Sequence, residues 1–366
     1  MRVKVFLIIT AIIVTILLTI LLVSQQSTYV TAKQPTGSIP IEDMCGRKVE
    51  VPKNVEKVAT LLPSDLRIVV MLGAVDKVCG ISSYFGDRRY MDKLEDALAY
   101  PELLKVEKIG TGAELDLEKI AEIKPDVFFI DSSYAHLIEK IEGTGTKVIC
   151  LKTSVEMGNF SELFSSIRIV GRVLNKEKRA DEVIEYIEKK VKNVTDRLKN
   201  VDEKPKVYLA NWAYRYGVGW TVRGYAPVNL VAKNVAENIS AHYMEVTKEQ
   251  IIEWNPDFIF IHGYKGYSAV EEILKDKSLQ GVEAVKNKRV FGLFGPYIGY
   301  DPKTMMIDLY IVAKTLFPEK FADVDVLKTG EEVFEFFYGE KGKEVFKQMM
   351  RNRGIYLSEE VTPLGT

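Results

Sequence analysis

The chain has 366 residues, 47% of them apolar, with 50 lysines and arginines against 51 aspartates and glutamates. That length and apolar content support two ordinary domains with full cores and exclude a disordered polymer. The even charge balance provides no bulk field for nucleic acid, so partners must be read from local features.

The amino terminus carries an apolar run of 19 residues, Val5 to Val23, preceded by Arg2 and Lys4. It is long enough to cross a bilayer, and it predicts an exported protein. Residues 1–23 read as a signal anchor or signal peptide; Val30-Thr31-Ala32 would suit a peptidase, but its distance from the apolar run favours an uncleaved anchor. Residues 24–40 are polar, with Pro35 and Gly37, and read as a tether to the outer face of the membrane.

The first α/β lobe is assigned to residues 41–174. Ile41 to Pro52 reads as a hairpin turning at Gly46, followed by a strand at Lys57 to Leu62, a helix at Asp65 to Leu72 and a strand at Val78 to Ser82. Lys147 to Leu151 closes that sheet. Cys45, Cys79 and Cys150 have no metal-ligand spacing, and the last two lie in apolar strand-like runs, which favours buried thiols.

Residues 175–200 predict one long helix. Between Lys176 and Lys199 there is neither glycine nor proline, and Ala180, Val183, Ile184, Ile187, Val191, Val194 and Leu198 recur at steps of three and four. Asn175 is the expected cap, and Pro205 bars continuation.

On either side of this helix the chain repeats itself. Leu117-Glu-Lys-Ile-Ala-Glu-Ile-Lys-Pro-Asp-Val-Phe-Phe-Ile-Asp131 aligns without gaps on Lys248-Glu-Gln-Ile-Ile-Glu-Trp-Asn-Pro-Asp-Phe-Ile-Phe-Ile-His262. In both, a short helix stops before proline and Pro-Asp turns into a run suited to a buried parallel strand. The pattern predicts two Rossmann-like α/β lobes with parallel-type sheets joined by one long helix, the second lobe being 201–366.

In open parallel sheets ligands sit beyond the carboxyl ends of the strands. The loops there hold Tyr84, Arg88 and Tyr134 in the first lobe, and Trp212, Tyr214, Arg215, Tyr264, Tyr297 and Tyr300 in the second. Asn211 to Tyr225 is the most unusual stretch, with five aromatics and two arginines; cross-strand pairing in a hairpin explains the aromatics better than the arginines. Arg223 lies past Gly219, where a return strand would run. Such loops suit a bulky anionic ligand held by stacking and charge-assisted hydrogen bonds.

These segments resemble the substrate-binding proteins of ABC importers for ferric siderophores, haem and cobalamin, the class III periplasmic binding proteins. The resemblance covers roughly Ile41 to Met350. It rests on Asp43-x-x-Gly-Arg-x-Val-x-Val-Pro52, Leu72-Gly-Ala-x-Asp-Lys-Val-x-Gly-Ile81, the Lys-Pro-Asp of the first repeat, Asn255-Pro-Asp257, Val285-Lys-Asn-Lys-Arg-Val290 and Leu316-Phe-Pro-Glu-Lys-Phe321. It implies a monomeric extracytoplasmic binder of a metal chelate with no intrinsic cofactor, served by a permease and its ATPase. It also implies a docking glutamate on each lobe, for which Glu139 and either Glu271 or Glu272 are the positional matches.

Two other classes stand beside this reading. Direct capture of a transition-metal ion such as zinc or manganese would need converging ligands, for which His136, His262 and Asp131 are the candidates, with His242 further off. An enzyme of tetrapyrrole or metal-cofactor metabolism would need a catalytic motif, and G-x-G-x-x-G after a strand, a Walker loop, H-E-x-x-H and G-x-S-x-G are all missing from the sequence.

Overall fold

The computed structural model describes residues 37–86, 93–153, 155, 158–211, 219–240, 243–262, 266–295 and 299–353. The apolar run Val5 to Val23 and residues 24–36 of its tether lie outside the described residues, whereas residues 38–40, assigned to the tether, belong to the first strand of the lobe. Among those described, no helix is long and apolar enough to cross a membrane.

The chain opens with an antiparallel hairpin of β1 (Ser38–Glu42) and β2 (Lys48–Pro52), in register at Ile41 and Val49. The Asp43 carboxylate organises its turn, accepting from the Cys45 and Arg47 amides at 3.0 Å and from Arg47 Nε at 3.0 Å. The same carboxylate accepts the Cys150 amide at 3.1 Å, and Met44 N–H donates to the Cys150 carbonyl. The turn is thereby laid against the end of a distant strand, and Cys45 and Cys150 form a disulfide. This corrects the expectation of buried thiols for that pair, leaving Cys79 free. The pairing is hidden in the sequence because 105 residues separate the two sulfurs.

The first sheet comprises β3 (Val58–Thr60), β4 (Val78–Ile81), β5 (Glu107–Lys108), β6 (Val127–Asp131) and β7 (Lys147–Leu151). Its spatial order is β5-β4-β3-β6-β7, and every neighbouring pair is parallel. The second sheet is built from β8 (Lys206–Asn211), β9 (Trp220–Val222), β10 (Lys233–Asn234), β11 (Tyr243–Glu245), β12 (Phe258–His262) and β13 (Val290–Gly292). Its main path runs β11-β9-β8-β12-β13. Here β8, β12 and β13 are parallel, as expected, and the short β10 joins β8 in parallel. The departure is β9, which turns back antiparallel to β8 with Ala210 opposite Thr221 and carries β11 antiparallel on its outer edge. A return strand does run after Gly219, and Arg223 leaves the end of it.

The internal repeat has a physical basis in both lobes. Asp116 and Thr247 cap their helices on the amides of Lys119 and Gln250, and Lys124 and Asn255 end them in the left-handed region at φ 48° and 42°. After the proline, Asp126 accepts the amides of Glu56 and Lys57, and Asp257 accepts the amide of Lys206 at 2.8 Å. Each Pro-Asp therefore fastens the start of the neighbouring central strand, β3 or β8.

The linking helix spans Glu177–Arg197 and is about 31 Å long at 1.5 Å per residue. Ala180, Val183, Ile184, Ile187 and Val194 are buried as the periodicity predicts, and Val191 is half-buried. Its start differs from expectation: Lys176 is the cap position, with no side-chain bond. Asn175 instead adopts φ 54° and donates Nδ2 to the Lys53 carbonyl at 3.0 Å, making a turn rather than a cap.

Alternation along the strands divides the interior. Val127 and Phe129 of β6, with Val207, Leu209 and Phe260 of the second sheet, face one large core that also takes the buried side of the linking helix. Phe128 and Ile130 face a smaller core outside the first sheet, and Tyr208, Ile259 and Ile261 another outside the second. Three helices, Pro302–Leu316, Val326–Tyr338 and Gly342–Arg353, are the last α-helices among the described residues, and the third returns to pack on the first-lobe helix Glu95–Ala99. The main core is thus continuous between lobes.

Candidate functional site

The carboxyl edges of the two sheets meet at the first-lobe helix Pro63–Met71, which begins directly after β3. Gly299, beyond β13, lies over its first turn; a Cβ there would come 3.3 Å from the Ser64 amide nitrogen and 3.5 Å from Arg67 Nη1. Its φ of 66° makes glycine the fitting residue. The neighbouring Tyr300 carbonyl accepts Arg67 Nη1 at 3.1 Å.

Beneath this junction lies a buried cluster of charge. Arg67 Nε is 2.9 Å from Glu95 Oε1 and 3.5 Å from Asp96 Oδ2. Lys303 Nζ is 3.0 Å from Asp301 and 3.5 Å from Asp96, and Arg353 Nη2 is 2.8 Å from Glu95 Oε2. Tyr338 donates to Asp96 Oδ1 at 2.7 Å. Three cations thus neutralise three carboxylates with almost no access to water, which is the condition buried charge requires. Burial pushes the Glu95 carboxyl up, with Arg67 opposing it. Burial acts the same way on Asp301, but Lys303 and Arg67 outweigh it and hold that carboxyl well below the usual range.

A second buried carboxylate serves the loops directly. Asp308 accepts the amides of Phe294 and Gly295 at 2.8 Å each and the Tyr225 hydroxyl at 2.6 Å. Burial raises it to about 7 against those three bonds and the Arg353 charge. The His262 ring, at the end of β12, meets the Tyr225 ring edge-on at 4.4 Å.

The sequence-predicted ligand residues distribute unevenly. Tyr84 occupies the turn Ser83–Gly86 after β4, half-buried. Tyr134, in the turn Ser132–Leu137 after β6, lays its ring on Gly112, where a Cβ would approach Tyr134 Cε1 to 1.8 Å. Arg223 is half-buried, and its carbonyl accepts Asn229 and Asn234 Nδ2. Tyr300 packs against the main core with its hydroxyl on Met305 Sδ. Arg88, Trp212, Tyr214, Arg215, Tyr264 and Tyr297 lie outside the described residues, though their strands β4, β8, β12 and β13 all end at this edge.

The metal-ion candidates do not assemble. Asp131 spends its oxygens on Ser133 and on Thr153, accepting N–H and O–H from each at 2.7 to 3.1 Å. His136 is exposed beside Tyr134, while His262 is buried in the other lobe; His242 lies outside the described residues. Among the described residues no three histidine, cysteine, aspartate or glutamate side chains converge as a metal site. Glu139, Glu271 and Glu272 are exposed on helices Ile138–Glu142 and Gly266–Lys275, Glu271 pairing with Lys275.

Sequence reasoning missed the charge cluster and Asp308. The usable signal was charge inside otherwise apolar helices: Arg67 in Leu-Arg-Ile-Val-Val-Met, and Lys303 and Asp308 in a helix buried nearly all round.

Comparison with known proteins places the fold. A family model described as periplasmic binding protein matches residues 58–296. The molybdate-binding protein MolA of Haemophilus influenzae is 27% identical over 324 residues, covering 81% of this chain and 90% of that protein. The petrobactin-binding protein YclQ of Bacillus subtilis is 24% identical over 257 residues, covering 67% and 76%. The solved structure of MolA bound to molybdate superposes with a TM-score of 0.69 at 23% identity, over 82% of this chain and 98% of that one. With the family model spanning most of both lobes, the chain belongs to the periplasmic binding protein family.

Proposed function

We propose that the protein is the extracytoplasmic substrate-binding protein of an ABC importer and carries a metal-centred anion, a chelate of the siderophore or citrate class, between the carboxyl edges of its two sheets. The observation that carries this is the meeting of those edges: Gly299 and Tyr300 of the second lobe rest on Ser64 and Arg67 of the first, so loops from both lobes border one cleft. Tyr84, Arg88 and Tyr134 would meet the ligand from one side, and Trp212, Tyr214, Arg215, Tyr264 and Tyr297 from the other, with Tyr300 behind them; Arg223 follows the antiparallel β9 away from that edge and is not among them. Stacking on aromatic faces and bidentate arginine contacts suit such an anion. A continuous core and a linking helix leave the cleft preformed, which lowers the cost of binding.

A small oxyanion is the second reading, favoured by similarity to a molybdate-binding protein across 90% of its length. Titration of the purified protein with ferric citrate, a ferric catecholate and molybdate separates the two. Alanine at Trp212, Arg215 or Tyr297 is expected to cost about 2 kcal/mol or more for the preferred ligand. If none of the three weakens binding while the fold survives, the aromatic loops are packing and this reading fails.

Residues 1–23 would anchor the monomer and the stretch from 24 up to the strand Ser38–Glu42 hold it clear of the membrane, while Glu139 and Glu271 or Glu272 meet the permease. Charge reversal at all three glutamates should abolish import and leave ligand affinity intact; lost affinity would show that they are misassigned.

A further inference from the structure

Asp308 lies in the middle of the buried helix Pro302–Leu316, yet two of its three accepted bonds come from the segment that leaves β13 on the cleft edge and the third from the Tyr225 hydroxyl. Phe294 and Gly295 follow β13. Tyr225 follows β9, which runs antiparallel and away from that edge, but its ring meets that of His262 at the end of β12. One carboxylate therefore underlies two of the second lobe's cleft-edge strand ends, β13 directly and β12 through Tyr225. The far side of the same stretch is held by the first lobe, through Arg67 on the Tyr300 carbonyl, while Arg353 donates to the Gly295 carbonyl at 3.1 Å.

We propose that Asp308 is a positioning residue for the ligand cleft: as a carboxylate it ties the segment after β13 to the Tyr225 side chain that backs the end of β12, and its protonation loosens them and weakens ligand binding. This role rests on the cleft reading given under the proposed function. An ionised carboxylate accepts all three bonds, from two amides and a phenol. Once protonated, its hydrogen needs an acceptor; the amides have none to offer, so the Tyr225 contact must reverse or an amide must be released, leaving a buried donor unpaired. Protonation falls in an accessible range because burial raises this carboxyl to about 7. The groups facing it are Tyr225 from the segment after β9 and Arg353 from the last helix, with Tyr300, Asp301 and His262 behind Tyr225. Of these, histidine is the residue type that also titrates near neutrality, so it requires its own control.

The test measures affinity of the full chain for molybdate and for ferric citrate from pH 8 to pH 6. The wild type should lose on the order of tenfold across that range, the size of one hydrogen bond to a charged group. Asp308→Asn should bind roughly tenfold more weakly at pH 8 and show no further loss on acidification. His262→Gln should keep the slope. Tyr225→Phe, which retains the carboxylate but removes one donor, should move the midpoint to higher pH, and it serves if Asp308→Asn does not fold. A wild-type slope that persists in Asp308→Asn, or that vanishes in His262→Gln alone, overturns the proposal. Should the wild type bind neither probe, the ligand reading fails there, and amide exchange decides the inference separately: after correction for intrinsic rates, the Phe294 and Gly295 amides must exchange faster at pH 6 than at pH 8, and equal rates overturn it.

Discussion

Replacing Arg67 by methionine would remove one cation from a buried, balanced set and keep most of the side chain's volume. Its guanidinium is shared among Glu95, Asp96, Asp301 and the Tyr300 carbonyl, with Nε 2.9 Å from Glu95. Without it, Lys303 and Arg353 face three carboxylates that water cannot reach. Breaking a buried pair by deleting one partner costs about 3–5 kcal/mol, a large share of the roughly 5–15 kcal/mol by which a native protein is held together. Part of that loss is recoverable, because burial already raises Glu95 and the freed carboxyl can take up a proton. The penalty should therefore be larger at pH 8 than at pH 5.5. Urea unfolding at both values measures it, and Glu95→Gln added to Arg67→Met should regain much of the loss by restoring two charges of each sign. A single-variant penalty under about 1 kcal/mol, or one equal at the two pH values, would refute the view that these charges are interdependent and dry.

Serine at both Cys45 and Cys150 should lower unfolding free energy by about 3–5 kcal/mol, since the cross-link spans 105 residues of chain; an unchanged urea midpoint under strong reductant would contradict that. Burial of its charge raises the Asp308 carboxyl, so ionisation costs the fold as a whole even while it makes the local bonds: the net contribution to stability is greatest at acid pH and is lost as pH rises through about 7. The melting temperature of wild type minus that of Asp308→Asn should accordingly be greater at pH 5 than at pH 8. Alanine at Gly112 cannot coexist with the Tyr134 ring in place, its Cβ falling 1.8 Å from Cε1. The ring should swing out at a cost of about 1 kcal/mol, and ligand affinity should match that of Tyr134→Ala; an affinity equal to wild type would detach Tyr134 from the cleft.

What the sequence made legible is what short-range chemistry writes. Val127–Asp131, Lys147–Leu151 and Phe258–His262 are strands where apolar runs and Pro-Asp turns put them, and the linking helix buries the stripe that its periodicity marks. Asn175 misled because a side chain able to cap is equally able to take a left-handed turn and bond elsewhere. The antiparallel course of β9 results from a loop too short for a crossover, a constraint of length rather than composition. The disulfide and the charge cluster were hidden for another reason: the two sulfurs lie 105 residues apart, the cluster's contacts reach as far as 258, and no local pattern distinguishes a charge that will be buried from one that will be solvated.

The cluster also governs when this chain can finish folding. The strands of the first lobe are complete by Leu151, yet Glu95 and Asp96 sit in an interior whose other cations are Lys303 and Arg353, the latter in the last described helix. A first lobe made alone would hold Arg67 against two carboxylates and have no helix Gly342–Arg353 to cover Glu95–Ala99. The lobes are thus two in architecture but one in assembly: the amino-terminal half waits, incompletely neutralised, for the carboxyl-terminal helix to arrive. Ordering over so long a span slows folding more than it weakens the product. Were the chain exported through its amino-terminal segment, as proposed above, that delay would keep the polypeptide loose until the helix Gly342–Arg353 is through.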